Sequence, residues 1–350
     1  MNKSELTIET TKREEWIDYL RGLGIILMII GHTWIWPPVI KWIYGFHMPL
    51  FFVLSGYLFN KQKWEENEYR RFLYARFRNY IIPYFIWCVI CFLMNLPIFC
   101  YSYWGDKFLT ALVQNLGWII TNVKVDGVFL PQNCTPLWFL PCLFISQQIF
   151  YWLVRFRISW QWMLSLCFIA FNLFMNWFKM PIFPWHFEVA LIGSVFMLVG
   201  YYFKETQITE KLTHPLIILV FVAISSIVIL LNGSVDMYYR RYGKDLLVFI
   251  IASLLMCYSL IVLCKRARKL FHSKSVCSLG KFSIIVIGLN YTINRYTRLI
   301  YQILGKVIGW DLGWMEYFLP LTNLLICLFV ISIYNKIWSR NKRFGILLGK

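Results

Sequence analysis

Negative charge is scarce in this chain: 17 Asp and Glu stand against 35 Lys and Arg in 350 residues, with only five His. Charged residues of either sign make up 15%, where proteins on average carry roughly 25%. That is too little charge to clothe a water-facing surface. Also missing are an internal repeat, a low-complexity tract and a polar linker, so residues 1–350 are expected to form one domain. The ten Cys fall mostly inside apolar runs without the Cys/His spacing of a zinc site, and no metal is expected. Only Cys100 and Cys134, flanking one loop, are placed to pair. A polar first stretch followed by a long apolar run argues against a cleaved leader.

What the chain has instead is apolar length. Hydrophobic residues make up 59% and aromatic ones 19%, and the mean hydropathy is +0.58. A helix needs about 20 apolar residues to cross a bilayer. Runs of that kind occupy 16–36, 43–60, 80–100, 137–156, 159–178, 186–203, 214–232, 245–264, 282–303 and 315–338. The expectation is an all-α polytopic membrane protein with about ten transmembrane helices. Lys and Arg crowd alternate connections and both tails: Lys3, Lys12 and Arg13; Lys61 to Arg78; Arg155 and Arg157; Lys204 and Lys211; Lys265 to Lys281; Lys336 to Lys350. This asymmetry places both termini in the cytoplasm. It also explains the formal charge of +18 without nucleic acid, which is excluded as a partner. In the long outer loop 101–136, residues 108–121 (FLTALVQNLGWIIT) are apolar but too short to cross. They predict an interfacial or re-entrant helix, a shape suited to a lid.

Ionisable residues inside such runs cost about 2.5–3.5 kcal/mol each on insertion scales and usually line a cavity. The first run, EEWIDYLRGLGIILMIIGHT, carries Asp18, Arg21 and His32. Eleven positions separate Arg21 from His32, which differ by only about 20° around a helix and lie about 16 Å apart along it. Asp18 shares that stripe and is placed to hold the guanidinium. The plain alternatives are snorkelling for Asp18 and Arg21 and a hydrogen-bonded structural role for His32. The second run begins FHMPLFFVLSGYLF, with His47 at its outer end and with Ser55 and Gly56 allowing a neighbouring helix close. Two outer-level histidines on consecutive helices favour chemistry over coincidence.

Several motifs carry a resemblance. YLRGLGIILMIIGH, with ten residues between Arg21 and His32, resembles the first-helix signature of the acyltransferase-3 family of membrane-bound O-acyltransferases. FHMPLFFVLSGY is similar to that family's second helix, and YARFRNYIIPY, with Arg76 and Arg78, to its third. TPLWFLPCLFIS, FEVALIGSVFMLVGYYF and LGKFSIIVIGLN are similar to later parts. Sugar O-acetyltransferases form the branch most alike. The resemblance implies transfer of acetyl from cytoplasmic acetyl-CoA to a hydroxyl of a cell-surface glycan, a glycolipid precursor or an exopolysaccharide, in a bacterial cytoplasmic membrane. His32 is then the general base, with Asp18, Arg21 and His47 beside it in catalysis. Arg21, Arg76 and Arg78 are expected to bind the coenzyme A moiety, since guanidinium pairs donors with phosphate.

Weaker acceptor-binding candidates are Glu188, Asn290, Arg295 and Arg298. Related sequences often carry His where Asn290 stands, so no proton transfer is assigned there. Glu188, preceded by His186, is placed to orient a histidine but reads more readily as a solvated interfacial residue. Tyr291, Arg295, Arg298 and Gln302 share a stripe that an anionic acceptor would suit, although the ninth helix is expected to end near Asn294. Trp138 reads as interface belt or core. A transporter or flippase using Asp, Arg and His as a proton relay is the rival reading. A non-catalytic relative is a third. The oligomeric state is not legible.

Overall fold

Inside a bilayer every backbone N–H and C=O must be satisfied within the chain, and helices do this segment by segment. The computed structural model describes residues 14–33, 36–64, 68–105, 107–123, 135–266, 273–309, 313–338 and 341–348. Lys3, Lys12, Arg13, Lys124, Cys134, Arg268, Lys269, Arg340 and Lys350 lie outside the described residues, so the Cys100–Cys134 pairing cannot be placed. The described helices are α1 (Glu15–Gly31), α2 (Pro37–Tyr44), α3 (His47–Tyr57), α4 (Tyr69–Arg76), α5 (Ile82–Met94), α6 (Leu96–Ser102), α7 (Lys107–Thr121) and α8 (Phe139–Leu153). They continue with α9 (Ile158–Trp177), α10 (Phe187–Glu205), α11 (Ile208–Lys211), α12 (Pro215–Asn232), α13 (Leu246–Arg266), α14 (Lys274–Lys281), α15 (Ser283–Ile308) and α16 (Leu319–Ile333). A two-residue hairpin, β1 (Val235–Asp236) and β2 (Arg241–Tyr242), joins α12 to α13.

The protein is all-α and polytopic. Each of the ten apolar runs holds a helix. Among the described residues, seven segments are long and apolar enough to span, and the α14–α15 pair, bent by 89°, makes an eighth if it is one span. Helix α1, with 17 residues, and α8, with 15, are shorter than any of these seven segments. The second span starts earlier than its apolar run, at Pro37, and is interrupted at Gly45 and Phe46 before His47 opens α3. The third also starts earlier, at Tyr69. It contains a π-turn, Phe77–Ile81, between α4 and α5. Pro83 follows directly; a proline ring in a regular helix collides with the carbonyl four residues back, and the wider turn relieves that clash. The short helix expected over 108–121 is α7.

Glycines set the tightest crossings. A Cβ on Gly56 would lie 1.9 Å from the Met197 carbonyl oxygen, and one on Gly200 would lie 2.1 Å from that of Val53, so α3 and α10 touch backbone to backbone. Gly22 and Gly280 do the same for α1 and α14: their added Cβ atoms would fall 2.0 Å from Val276 O and 1.9 Å from Asp18 O. The core divides into two large clusters. One gathers residues of α3, α8, α10 and α13 with the hairpin; the other gathers α1, α5, α15 and α16. Phe51 packs against both.

Gly56→Val and Gly200→Val are expected to destabilise the protein by about 1–3 kcal/mol or more, as overpacking does. Thermal unfolding in detergent checks this. Gly117, on α7 with nothing within 4 Å of an added Cβ, should tolerate Ala with unchanged or slightly raised stability.

Candidate active site

His32 and His47 face one cavity. A cavity of about 570 Å³ opens between the two core clusters at the end of the bundle where α1 finishes. Both histidine rings line it, together with Ile25 and Met28 of α1, Tyr44 of α2 and Phe51 of α3. Each imidazole is tethered the same way. His32 Nδ1 lies 2.8 Å from Met28 O and His47 Nδ1 lies 2.9 Å from Ile43 O, in both cases four residues back. A carbonyl only accepts, so Nδ1 carries the proton and Nε2 keeps the lone pair. Gly31 leaves room for the Tyr44 ring, whose edge would be 2.9 Å from an added Cβ. Tyr44 thus stands between the histidines, 6.0 Å from the His32 ring centroid and 5.0 Å from that of His47.

The opposite wall comes from α15, through Ile287, Tyr291, Asn294, Arg295 and Arg298. Helix α15 does not end near Asn294 as expected: it runs without a break to Ile308, which keeps Arg295 and Arg298 on the wall. Arg298 Nη1 is paired with Glu316 at 2.7 Å. Asn290 sits behind the wall, buried, with Nδ2 3.4 Å from Met28 Sδ. The remaining boundary is formed by Pro136, Trp138 and Phe139 and by Asp236 to Tyr239 of the hairpin. Trp138, read from sequence as belt or core, is buried and lines the cavity. The Asp236 carboxylate caps the turn after β1, accepting the Tyr238 N–H at 3.1 Å. Burial pushes this carboxyl above its ordinary pKa; the backbone N–H groups of Tyr238 and Tyr239 and the Arg241 charge oppose the shift.

Glu188 is neither solvated at an interface nor on the cavity wall. It is 0% exposed, with Oε1 3.6 Å from Arg240 Nε, itself 7% exposed. Phe183 N–H donates to Glu188 Oε2 at 3.2 Å, Asn172 Nδ2 donates to Glu188 O at 2.8 Å, and Tyr242 OH donates to Asn172 Oδ1 at 3.0 Å. Arg240, at φ +53°, also donates to Met180 O. The network pins the hairpin, and so Asp236, Tyr238 and Tyr239, to α9 and α10. Helix α7 is tied in beside it. Trp185 Nε1 donates to Ile120 O at 2.7 Å, and His186 Nε2 donates to Asn122 O at 3.1 Å. The His186 ring packs on two cavity-lining residues, Trp138 at 4.8 Å and Tyr238 at 4.5 Å.

Asp18, Arg21, Arg76 and Arg78 lie elsewhere. Asp18 is buried and Arg21 half-buried in the first turns of α1, and the cavity reaches along α1 to Ile25, one turn short of Arg21. Arg76, half-buried at the end of α4, has its guanidinium 4.9 Å from the Phe72 ring and 5.8 Å from that of Trp64. Arg78 is exposed in the π-turn. Sequence reasoning missed Tyr44, Asp236, Tyr238, Tyr239 and Asn294. The one signal for three of them was DMYY, a short motif in the polar connection after Asn232.

Comparison with known proteins adds a family model, described as an acyltransferase domain, that matches residues 14–337. Two nodulation proteins NolL are similar in sequence. That of Mesorhizobium japonicum is 27% identical over 218 residues, covering 49% of this chain and 58% of that protein. That of Sinorhizobium fredii is 32% identical over 90 residues, covering 22% of this chain and 24% of that protein. The matched regions thus span less than two thirds of either relative. No solved structure matches significantly.

A double-mutant cycle tests the pinning of the hairpin. Glu188→Ala and Arg240→Ala should each cost about 3–5 kcal/mol of stability, because each leaves a buried charge unpaired. The double variant should lose clearly less than the sum of the two.

Proposed function

This chain belongs to the acyltransferase-3 family, and from that premise we propose that it transfers acetyl from acetyl-CoA to a hydroxyl of a cell-surface glycan or its lipid-linked precursor. The membrane is a bacterial cytoplasmic one, with both termini inside and the His32 cavity toward the outer leaflet. His32 is the general base. Its Nε2 takes the proton of the acceptor hydroxyl as the oxygen attacks the thioester carbonyl. The carbon–sulfur bond then breaks, and the thiolate leaves with the proton from the imidazolium, giving an O-acetyl ester and free coenzyme A. His47 orients the acceptor hydroxyl from the facing side of Tyr44.

One observation carries this reading: two imidazoles, each with Nδ1 tied to its own helix, line a single cavity at the end of the rod that bears Arg21. Arg21, about 16 Å lower on α1, grips the donor's arm together with Asp18 one turn further down. Arg76 and Arg78 hold its phosphates at the cytoplasmic mouth. The aromatic faces under Arg76 support that role by pre-ordering the guanidinium. Arg295 and Arg298 meet the acceptor. Glu188 is assigned to the hairpin rather than to substrate, as its burial against Arg240 indicates.

Purified protein in detergent with acetyl-CoA tests the proposal, free thiol being the readout. Slow thioester cleavage is expected. His32→Ala should lower it by about 10²–10⁴, the usual share of a general base, and Arg21→Ala should raise KM for acetyl-CoA. A transporter would leave the thioester intact. Wild-type cleavage by His32→Ala would refute the assignment.

A further inference from the structure

Helix α1 stops where its imidazole begins. Its last residue is Gly31, and the cap, His32, has φ −87° and ψ 0°, not the left-handed turn that closes many helices. The final carbonyls of a helix have no partner within it, and in apolar surroundings each unpaired one is costly. Nearby groups serve two of them. His32 N–H and Nδ1–H both donate to Met28 O, at 3.1 and 2.8 Å, while the Thr33 N–H and hydroxyl both donate to Ile30 O, at 3.1 and 2.7 Å. The next carbonyls are served by another helix. Asn294 Nδ2 donates to His32 O at 2.8 Å, and Arg298 Nη2 donates to Thr33 O. Asn294 and Arg298 lie one turn apart on α15. Glu316, on the turn Gly313–Phe318 before α16, anchors Arg298 through Nη1 at 2.7 Å and does not line the cavity.

We infer that Asn294, Arg298 and Glu316 form a clamp that positions the His32 imidazole for proton transfer, an inference that rests on the acyl-transfer reading above. A base placed at a helix end sits where helices fray. Two donors from α15 hold the backbone carbonyls of His32 and of the residue after it, and the Nδ1–H bond then fixes the ring on that immobilised backbone. Asn294 and Arg298 are therefore positioning residues, although both also face the cavity. Glu316 separates the two roles. Among the described residues it touches the site only through Arg298, so any effect it has on the chemical step travels through the clamp.

Steady-state cleavage of acetyl-CoA by the full chain in detergent, with water as acceptor, tests this. Glu316→Ala should lower kcat about 10-fold, and Asn294→Ala about 10- to 100-fold, the scale of losses from misplaced reacting groups. KM for acetyl-CoA should stay within about twofold. Glu316→Gln, which keeps an oxygen for Arg298, should recover most of the rate. Imidazole 15N spectra add a readout that simple destabilisation would not move. His32 should show the Nδ1–H tautomer in the wild type and a tautomer mixture in the Asn294→Ala/Arg298→Ala double variant. If His32→Ala is inactive while Glu316→Ala and Asn294→Ala turn over at the wild-type rate per folded molecule, the clamp is wrong and the acyl-transfer reading stands. Unchanged kcat with a raised KM would also overturn it. If His32→Ala remains active, both fall.

Discussion

The constraint on which the rest depends is that α1 must be held at both ends inside an apolar bundle. At its start, Gly22 and Gly280 bring α1 and α14 into backbone contact, and Asp18 O forms part of that contact. At its finish, carbonyls with no partner in the helix are taken up by Asn294 and Arg298 of α15. A single rigid rod therefore carries Arg21 near one face of the bundle and His32 near the other. Neither contact is a matter of hydrophobic area, because within lipid the apolar effect no longer discriminates between helix partners. Close packing and satisfied polar groups decide instead.

The cavity depends on a second, independent fixture. The hairpin between α12 and α13 is too short to build a core of its own. It is held by the burial of Arg240 against Glu188 and by the hydrogen bonds around Asn172 and Tyr242. Gly243, at φ +80°, closes the turn against the Asn232 side chain, where a Cβ would fall 2.4 Å from Nδ2. What the hairpin offers the cavity is chemically unlike the helical walls: a capped carboxylate and two tyrosines. The pocket thus has imidazoles on one side, guanidinium groups on another and a carboxylate with aromatic rings on the third.

The helical class, the positions of most helices and the short helix α7 were legible in the sequence because they follow from local apolar periodicity. The sharing of one cavity by His32 and His47 was half legible: both stood at the same level, but their separation by Tyr44 depends on Gly31 leaving space for a ring from α2. The length of α15 was misread because Arg295 and Arg298 resemble the polar residues that end a span. Inside the bundle they face a cavity, and Arg298 has Glu316 as a partner. Glu188 was misread for the same reason. Its partner, Arg240, lies far along the chain in a connection whose fold no local pattern specifies. The number of crossing helices was legible only in part, since an apolar run reports composition, and α1 and α8, with 17 and 15 residues, are shorter than the seven described segments long and apolar enough to cross.

On the proposed reading, donor and acceptor approach from opposite faces and react near the end of α1. Sidedness is the direct test of that claim. With the protein reconstituted into sealed vesicles, radiolabelled acetyl-CoA is supplied only outside and a glycan acceptor is trapped only inside. The account predicts labelled ester on the enclosed acceptor, absent with His32→Ala. Label appearing only on acceptor added to the same side as acetyl-CoA would contradict it.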